Sequence, residues 1–126
     1  MLRALLYLKD KMNYSMKLHP APFEMIKSGK KTIELRLFDE KRQKIKVGDE
    51  IILTNTVSGE TLSRTVKDIH IFESFYELYK SLPLLKCGYT EDDVDSASPL
   101  DMEKYYSIDE QKNFGVVGIE LYSNDE

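Results

Sequence analysis

The eight residues GKKTIELR, at positions 29–36, hold the side chains best suited to chemistry in this chain. Ile33, Leu35 and Leu37 alternate with Thr32, Glu34 and Arg36, the period-two pattern of a strand with one apolar face. If the three apolar residues face the barrel core, Thr32, Glu34 and Arg36 share the opposite face at intervals of about 6–7 Å. A carboxylate placed there accepts from an amide or amine edge. A guanidinium beside it donates a two-pronged pair to a phosphate or a base edge. Gly29 lets a backbone approach closely, and Lys30 and Lys31 add positive charge. Together they suit a nucleobase or nucleotide better than a simple anion. The plain alternative is a surface ion pair, worth under about 1 kcal/mol.

Charge is unevenly spread around this stretch. The net charge is −4, yet residues 27–46 contain eight Lys and Arg against Glu34, Asp39 and Glu40. Residues 91–126 contain eleven Asp and Glu against Lys104 and Lys112. A basic patch attracts phosphate whatever the total charge, which makes Lys41, Arg42, Lys44 and Lys46 candidate phosphate contacts. The acidic third is expected to be a solvated surface, with docking of a basic protein partner as the alternative.

Several classes of function are set aside. One cysteine, Cys87, excludes an internal disulfide, and no CxxC or Cys/His cluster stands ready for zinc. His19 and His70 lie far apart in sequence, so neither a metal site nor a cofactor is expected. Cys87 has no evident His partner for nucleophilic catalysis. The apolar start MLRALLYL is too short to span a membrane and is followed by charged residues without a cleavage signal. A cytoplasmic, membrane-free protein is the expectation. Met12 and Met16 are alternative starts, so residues 1–15 are expected to be an extension outside the fold, residues 16–122 the domain, and residues 123–126 a tail.

The elements that must position the motif are short. YSMKLHP reads as a first strand ended by Pro20, and APFEMIKSG as a short helix ended by Gly29. DEKRQKI is a polar turn, and residues 50–72 form a hairpin around the turn SGE. ESFYELYKSLP places Phe75, Leu78, Tyr79 and Leu82 at helical spacing before Pro83. Ser98 and Ser107 are N-cap candidates, the second with Glu110 three residues on. FGVVGIELY is a last strand in which Gly115 and Gly118 mark a bulge or a close backbone approach. The class is α+β: a small, mainly antiparallel β-barrel with short helices flanking a cleft.

GKKTIELR also resembles the G-x-K-x-x-E-x-R signature of the ASCH domain family, within the PUA-like superfamily, with Gly29, Lys31, Glu34 and Arg36 at the four signature positions. The preceding helix, the VGDEIIL strand and the closing FGVVGIEL strand follow the family's order. The resemblance implies a PUA-like barrel with a cleft lined by these residues and an association with RNA. It also implies an alternative, since one branch of the family hydrolyses N4-acetylcytidine with a lysine, a threonine and a glutamate. That branch resembles G-x-K-T-x-T-x-R; here Lys31 and Thr32 are kept, but Glu34 stands where the second threonine would be.

Binding of RNA, a nucleotide or a nucleoside is therefore the leading expectation. Tyr105, Tyr106 or Phe114 are the candidates to stack on a base. The catalytic alternative gives Lys31 the role of base and Glu34 that of orienting water or the leaving amine, with Glu73 or Glu77 as a second acid. His19 is expected to be a capped or surface imidazole, with a place near the cleft mouth as the alternative.

Overall fold

The computed structural model describes residues 12–123. Five strands carry the fold: β1 (Asn13–Leu18), β2 (Ile33–Leu37), β3 (Glu50–Asn55), β4 (Thr61–Phe72) and β5 (Val116–Leu121). They form one curled sheet, a half-barrel, in the order β1-β3-β4-β5-β2. Only the β1–β3 pair is parallel; the other three are antiparallel. The helices are α1 (Pro20–Lys27), α2 (Glu40–Gln43), α3 (Phe75–Ser81) and α4 (Ile108–Phe114), with 3-10 turns at Leu84–Lys86, Val94–Ser96 and Pro99–Lys104. The chain adopts the expected α+β class and mainly antiparallel PUA-like fold, with the expected barrel present as a half-barrel.

Local chemistry accounts for most element ends. Pro20 closes β1 and opens α1, whose buried face is Phe23 and Ile26. Gly29 then turns the chain at φ +84° toward β2, a conformation that favours glycine. Ser74 caps α3, and Ser107 and Glu110 form a reciprocal capping box on α4. Strand β1 begins at Asn13, inside the segment expected to lie outside the fold. It is pinned where the Met12 amide donates to Asp49 at 3.1 Å. The rest of that expected extension, residues 1–11, and the end of the tail, residues 124–126, lie outside the described residues.

The sheet is covered on both faces, and this corrects the expected orientation of β2. The inner core gathers Met16, Leu18, Phe23, Ile26, Ile51, Leu53, Val66, Val117 and Ile119. A second core on the outer face contains Ile33, Leu35 and Leu37 with Phe75, Leu78, Cys87 and Val116. The register pairs Glu34 with Ile119 and Arg36 with Val117, and directly opposed residues share a face. The apolar residues of β2 thus point away from the barrel interior, under α3. Glu34 and Arg36 point inward. Alternation revealed two faces correctly but assigned the wrong one to the barrel, because α3 supplies an apolar layer that competes for the same residues. Gly118 lies close beneath that layer: a Cβ there would sit 2.7 Å from Leu82 Cδ1 and 3.1 Å from Ile33 Cγ2, so the Leu82 side chain would have to shift.

Candidate functional site

The inward face of β2 opens into a cleft of about 520 Å³, within the range of roughly 300–1,000 Å³ usual for small-molecule sites. Its floor is an ion trio. Glu34 Oε1 meets Lys31 Nζ at 2.6 Å, and Arg36 Nε donates to Glu34 Oε2 at 2.8 Å. Glu34 is 5% exposed and Lys31 is 9% exposed, so this is no solvated surface pair. Among the described residues the Lys31 ammonium is the one partner of the buried Oε1.

Arg36 has a second task. Its Nη2 donates to the Lys17 carbonyl at 2.9 Å. Lys17 lies on β1 and Arg36 on β2, the two outer strands of the sheet order. One guanidinium therefore ties the half-barrel's open seam and holds the cleft-facing carboxylate. Burial pushes the Glu34 carboxyl up, but the charges of Lys31 and Arg36 outweigh it and hold the group below the usual carboxylate range. Burial likewise disfavours charge on Arg36, and the Glu34 carboxylate more than offsets this, raising its pKa.

The walls come from five elements. The end of β1 supplies Lys17, Leu18 and His19, and α1 supplies Ala21, Pro22 and Met25. Opposite them stand Tyr79 of α3, the Cys87, Gly88 and Tyr89 loop, and Asp101 and Met102 of the last 3-10 turn, followed by Tyr105 and Tyr106. Gly88 lies beside the Lys31 stem, where a Cβ would sit 3.5 Å from Lys31 Cδ, an ordinary contact, so it is the φ of +113° that favours glycine there. Tyr89 Oη donates to Asp101 Oδ2 at 2.6 Å and lies 2.7 Å from Tyr79 Oη. Asp101 is held low by the Tyr89 hydroxyl and by the Ser98 amide. With the Tyr89 proton committed to that carboxylate, Tyr79 must donate to Tyr89. Burial pushes the Cys87 thiol up to about 12, which makes it an inert wall rather than a nucleophile.

The structure brings some of the expected site residues together and leaves others apart. Lys31, Glu34, Arg36, Tyr105, Tyr106 and His19 line the cleft. Gly29, Lys30 and Thr32 do not, although Gly29 shapes the turn into β2 and the Thr32 backbone pairs with Lys86 and Leu121. Lys41, Arg42, Lys44 and Lys46 lie on and after α2, outside the cleft, and Arg42 is paired with Asp39 at 2.9 Å. Phe114 is exposed away from the cleft, and Tyr106 stacks on Phe75 with ring centroids 5.9 Å apart. Tyr105 is thus the more available stacking ring. Glu73 and Glu77 are exposed at the start of α3 and do not reach the cleft, so neither is the second acid; Asp101 and Asp93 line it instead. Sequence spacing held no signal for Asp101 or Tyr89, because an irregular segment folds back over β2 to place them. Outside the cleft, the described residues contain one group with metal-ligand potential: Asp68, His70 and Glu120.

A pH dependence follows from the trio. The Glu34 pKa is depressed in the folded state relative to its ordinary value of 4.5, so the unfolded chain takes up the proton first. Its contribution to stability is complete above about pH 4.5 and is lost as pH falls through the folded-state pKa. Urea denaturation between pH 3 and 6 should show stability dropping on acidification, with a shallower slope in Glu34→Gln. Equal slopes for the two proteins would show that Glu34 is not the titrating group.

A curled five-stranded sheet with short helices over a charged cleft places the chain in the PUA-like class of half-barrels. It belongs to the ASCH domain family, whose model matches residues 16–124. The crystal structure of hypothetical protein PH0355 is 34% identical, with 89% of this chain and 99% of that one covered at a TM-score of 0.74. The solution structure of protein PF0455 from Pyrococcus furiosus is 32% identical, covering 91% of this chain and all (100%) of that one at a TM-score of 0.69. ASCH from Zymomonas mobilis shares the fold at 16% identity and a TM-score of 0.60, covering 86% of this chain and 66% of that one. No curated protein matches the chain. Among the described residues, no helix is long and apolar enough to cross a membrane.

Proposed function

We propose that this chain binds a nucleobase-bearing ligand, either a nucleotide or an unstacked base of single-stranded RNA, in the cleft built on β2. The observation that carries this reading is Glu34. It is a buried, charged carboxylate between two cations on the cleft floor, and each of its oxygens keeps a lone pair for a further donor. An amine or ring N–H at the edge of a base supplies such a donor. Tyr105, 63% exposed at the cleft, offers a face on which that base stacks. Lys17 and Lys104 line the same cleft for a phosphate, and the basic run from Lys41 to Lys46 continues beyond it.

Titration with cytidine monophosphate and with a short single-stranded oligoribonucleotide tests the reading. Lys31→Ala should weaken both ligands at least about tenfold, the scale of one lost charge-assisted contact. Lys41→Ala and Lys44→Ala should each weaken oligonucleotide binding and lower its salt slope by about 0.7, leaving cytidine monophosphate affinity unchanged. Absence of saturable binding, or affinity indifferent to Lys31→Ala, would remove the cleft as a nucleobase site.

Hydrolysis of an N-acylated nucleoside is the second reading, favoured by the Tyr89–Asp101 pair that shares the cleft with Lys31 and Glu34. It asks Lys31 for a free amine, whereas Nζ is paired with Glu34. Incubation with N4-acetylcytidine, with cytidine and acetate followed by chromatography, separates the two readings. Turnover that disappears in Lys31→Ala while binding persists would favour hydrolysis. No turnover alongside saturable binding would leave the cleft as a binding site.

A further inference from the structure

On the outer face of the sheet, away from the cleft, β4 and β5 bring Asp68, His70 and Glu120 together. We propose that these three side chains form a binding site for a first-row divalent transition cation, with Zn²⁺ as the reference ion.

The backbone aims them there. The β4–β5 register runs from Val66 opposite Leu121 to Asp68 opposite Glu120, so Lys67 is an extra residue in a β-bulge. In a regular strand Val66, Asp68 and His70 would share one face. The bulge breaks that pattern: Val66 is fully buried in the inner core, whereas Asp68 is exposed and His70 half-buried. On β5 the neighbours of Glu120, Ile119 and Leu121, also belong to the inner core, which sends Glu120 outward. His70 is paired with Gly118, a position with no side chain to crowd the imidazole as it leans toward Glu120.

Geometry and charge then agree. His70 Nε2 lies 2.9 Å from Glu120 Oε1 and 3.9 Å from Asp68 Oδ2. One ligand atom from each of the three residues falls within a 4.8 Å set. Three atoms each about 2.0–2.2 Å from a tetrahedral Zn²⁺ lie about 3.4 Å apart, a value these distances straddle. Small side-chain rotations close the difference. Asp68 and Glu120 are directly opposed carboxylates on one sheet face, a placement that is repulsive without a cation. Among the described residues, no lysine or arginine forms an ion pair with either. The imidazole, bonded to Glu120, is their sole neighbour of matching chemistry, and imidazole with carboxylate selects Zn²⁺ or its neighbours over Mg²⁺ or Ca²⁺.

The test is calorimetric titration of the chelator-stripped protein with Zn²⁺ alone. One ion per chain is expected, together with a rise in melting temperature on saturation. H70A and E120Q should each weaken binding by at least about tenfold, because even outer partners of a metal ligand are worth 10–100-fold. Both positions are partly exposed, so the variants are expected to fold, and circular dichroism checks this before titration. Absence of saturable binding would overturn the proposal. So would binding unchanged in folded H70A, which would place the ion elsewhere. Nucleotide binding in the cleft uses none of these three residues, so the two results are independent.

Discussion

Glu34→Ala is expected to lower the unfolding free energy by about 3–5 kcal/mol, the cost of removing one partner from a buried ion group. Lys31 and Arg36 would then face each other across a cavity with no counter-charge, while both remain largely out of water. Arg36 would also lose the carboxylate that orients its fork toward the Lys17 carbonyl, weakening the tie across the open seam. Urea denaturation reads the effect as a lower midpoint at an unchanged m value. The double variant Glu34→Ala with Lys31→Ala should lose less than the two single losses added together, since one orphaned charge is removed with the carboxylate. A loss under about 1 kcal/mol would mean that water, not protein, balances these charges, and that the trio is equivalent to an exposed pair. For a domain whose total stability is typically about 5–15 kcal/mol, the two outcomes are well separated.

Phe75→Ala is the second large effect, expected at about 3–5 kcal/mol. Phe75 is fully buried in the outer core, where it packs with Ile33, Leu35, Leu37 and Leu78. Its ring also backs Tyr106, stacked at an interplanar angle of 21°, and Tyr106 is part of the cleft wall. The substitution therefore acts twice. It opens a cavity beneath β2, and it frees a wall residue to move, so ligand affinity should fall in the fraction that remains folded. Measuring both quantities distinguishes this linkage from simple core loss: lower stability with unchanged affinity would mean that Tyr106 holds its place without Phe75. A stability loss under about 1 kcal/mol would show that neighbouring side chains collapse into the space.

Local signals were reliable wherever neighbours in sequence make the structure. The hairpin expected over residues 50–72 is β3 and β4, and the Ser107–Glu110 capping box forms on α4. The Ser98 cap and the stop of α3 before Pro83 are present as well. Hydrogen bonds spanning three or four residues and the fixed φ of proline decide such features, and both are written in the residue types. The motif itself was equally legible, since Glu34 and Arg36 two apart on a strand must share a face. Features that join distant segments were not legible. Glu73 and Glu77 have the right chemistry for a second acid and the wrong place, while Asp101 reaches the cleft from 65 positions beyond Arg36.

The sequence by itself determined an α+β, mainly antiparallel barrel-like fold, its short helices and caps, and a lysine, glutamate and arginine close together at one strand. Tertiary structure alone decided which way that strand faces, because both sides of β2 meet an apolar layer and only the packing of α3 selects between them. That choice turned Glu34 from a solvated charge into a buried one and made Arg36 a bridge between sheet edges. Strand pairing between β4 and β5 separately brought Asp68, His70 and Glu120 together through a one-residue bulge that no periodicity announces. The physical reason is common to both: alternation along a strand specifies relative facing, whereas absolute facing depends on what the rest of the chain packs against it.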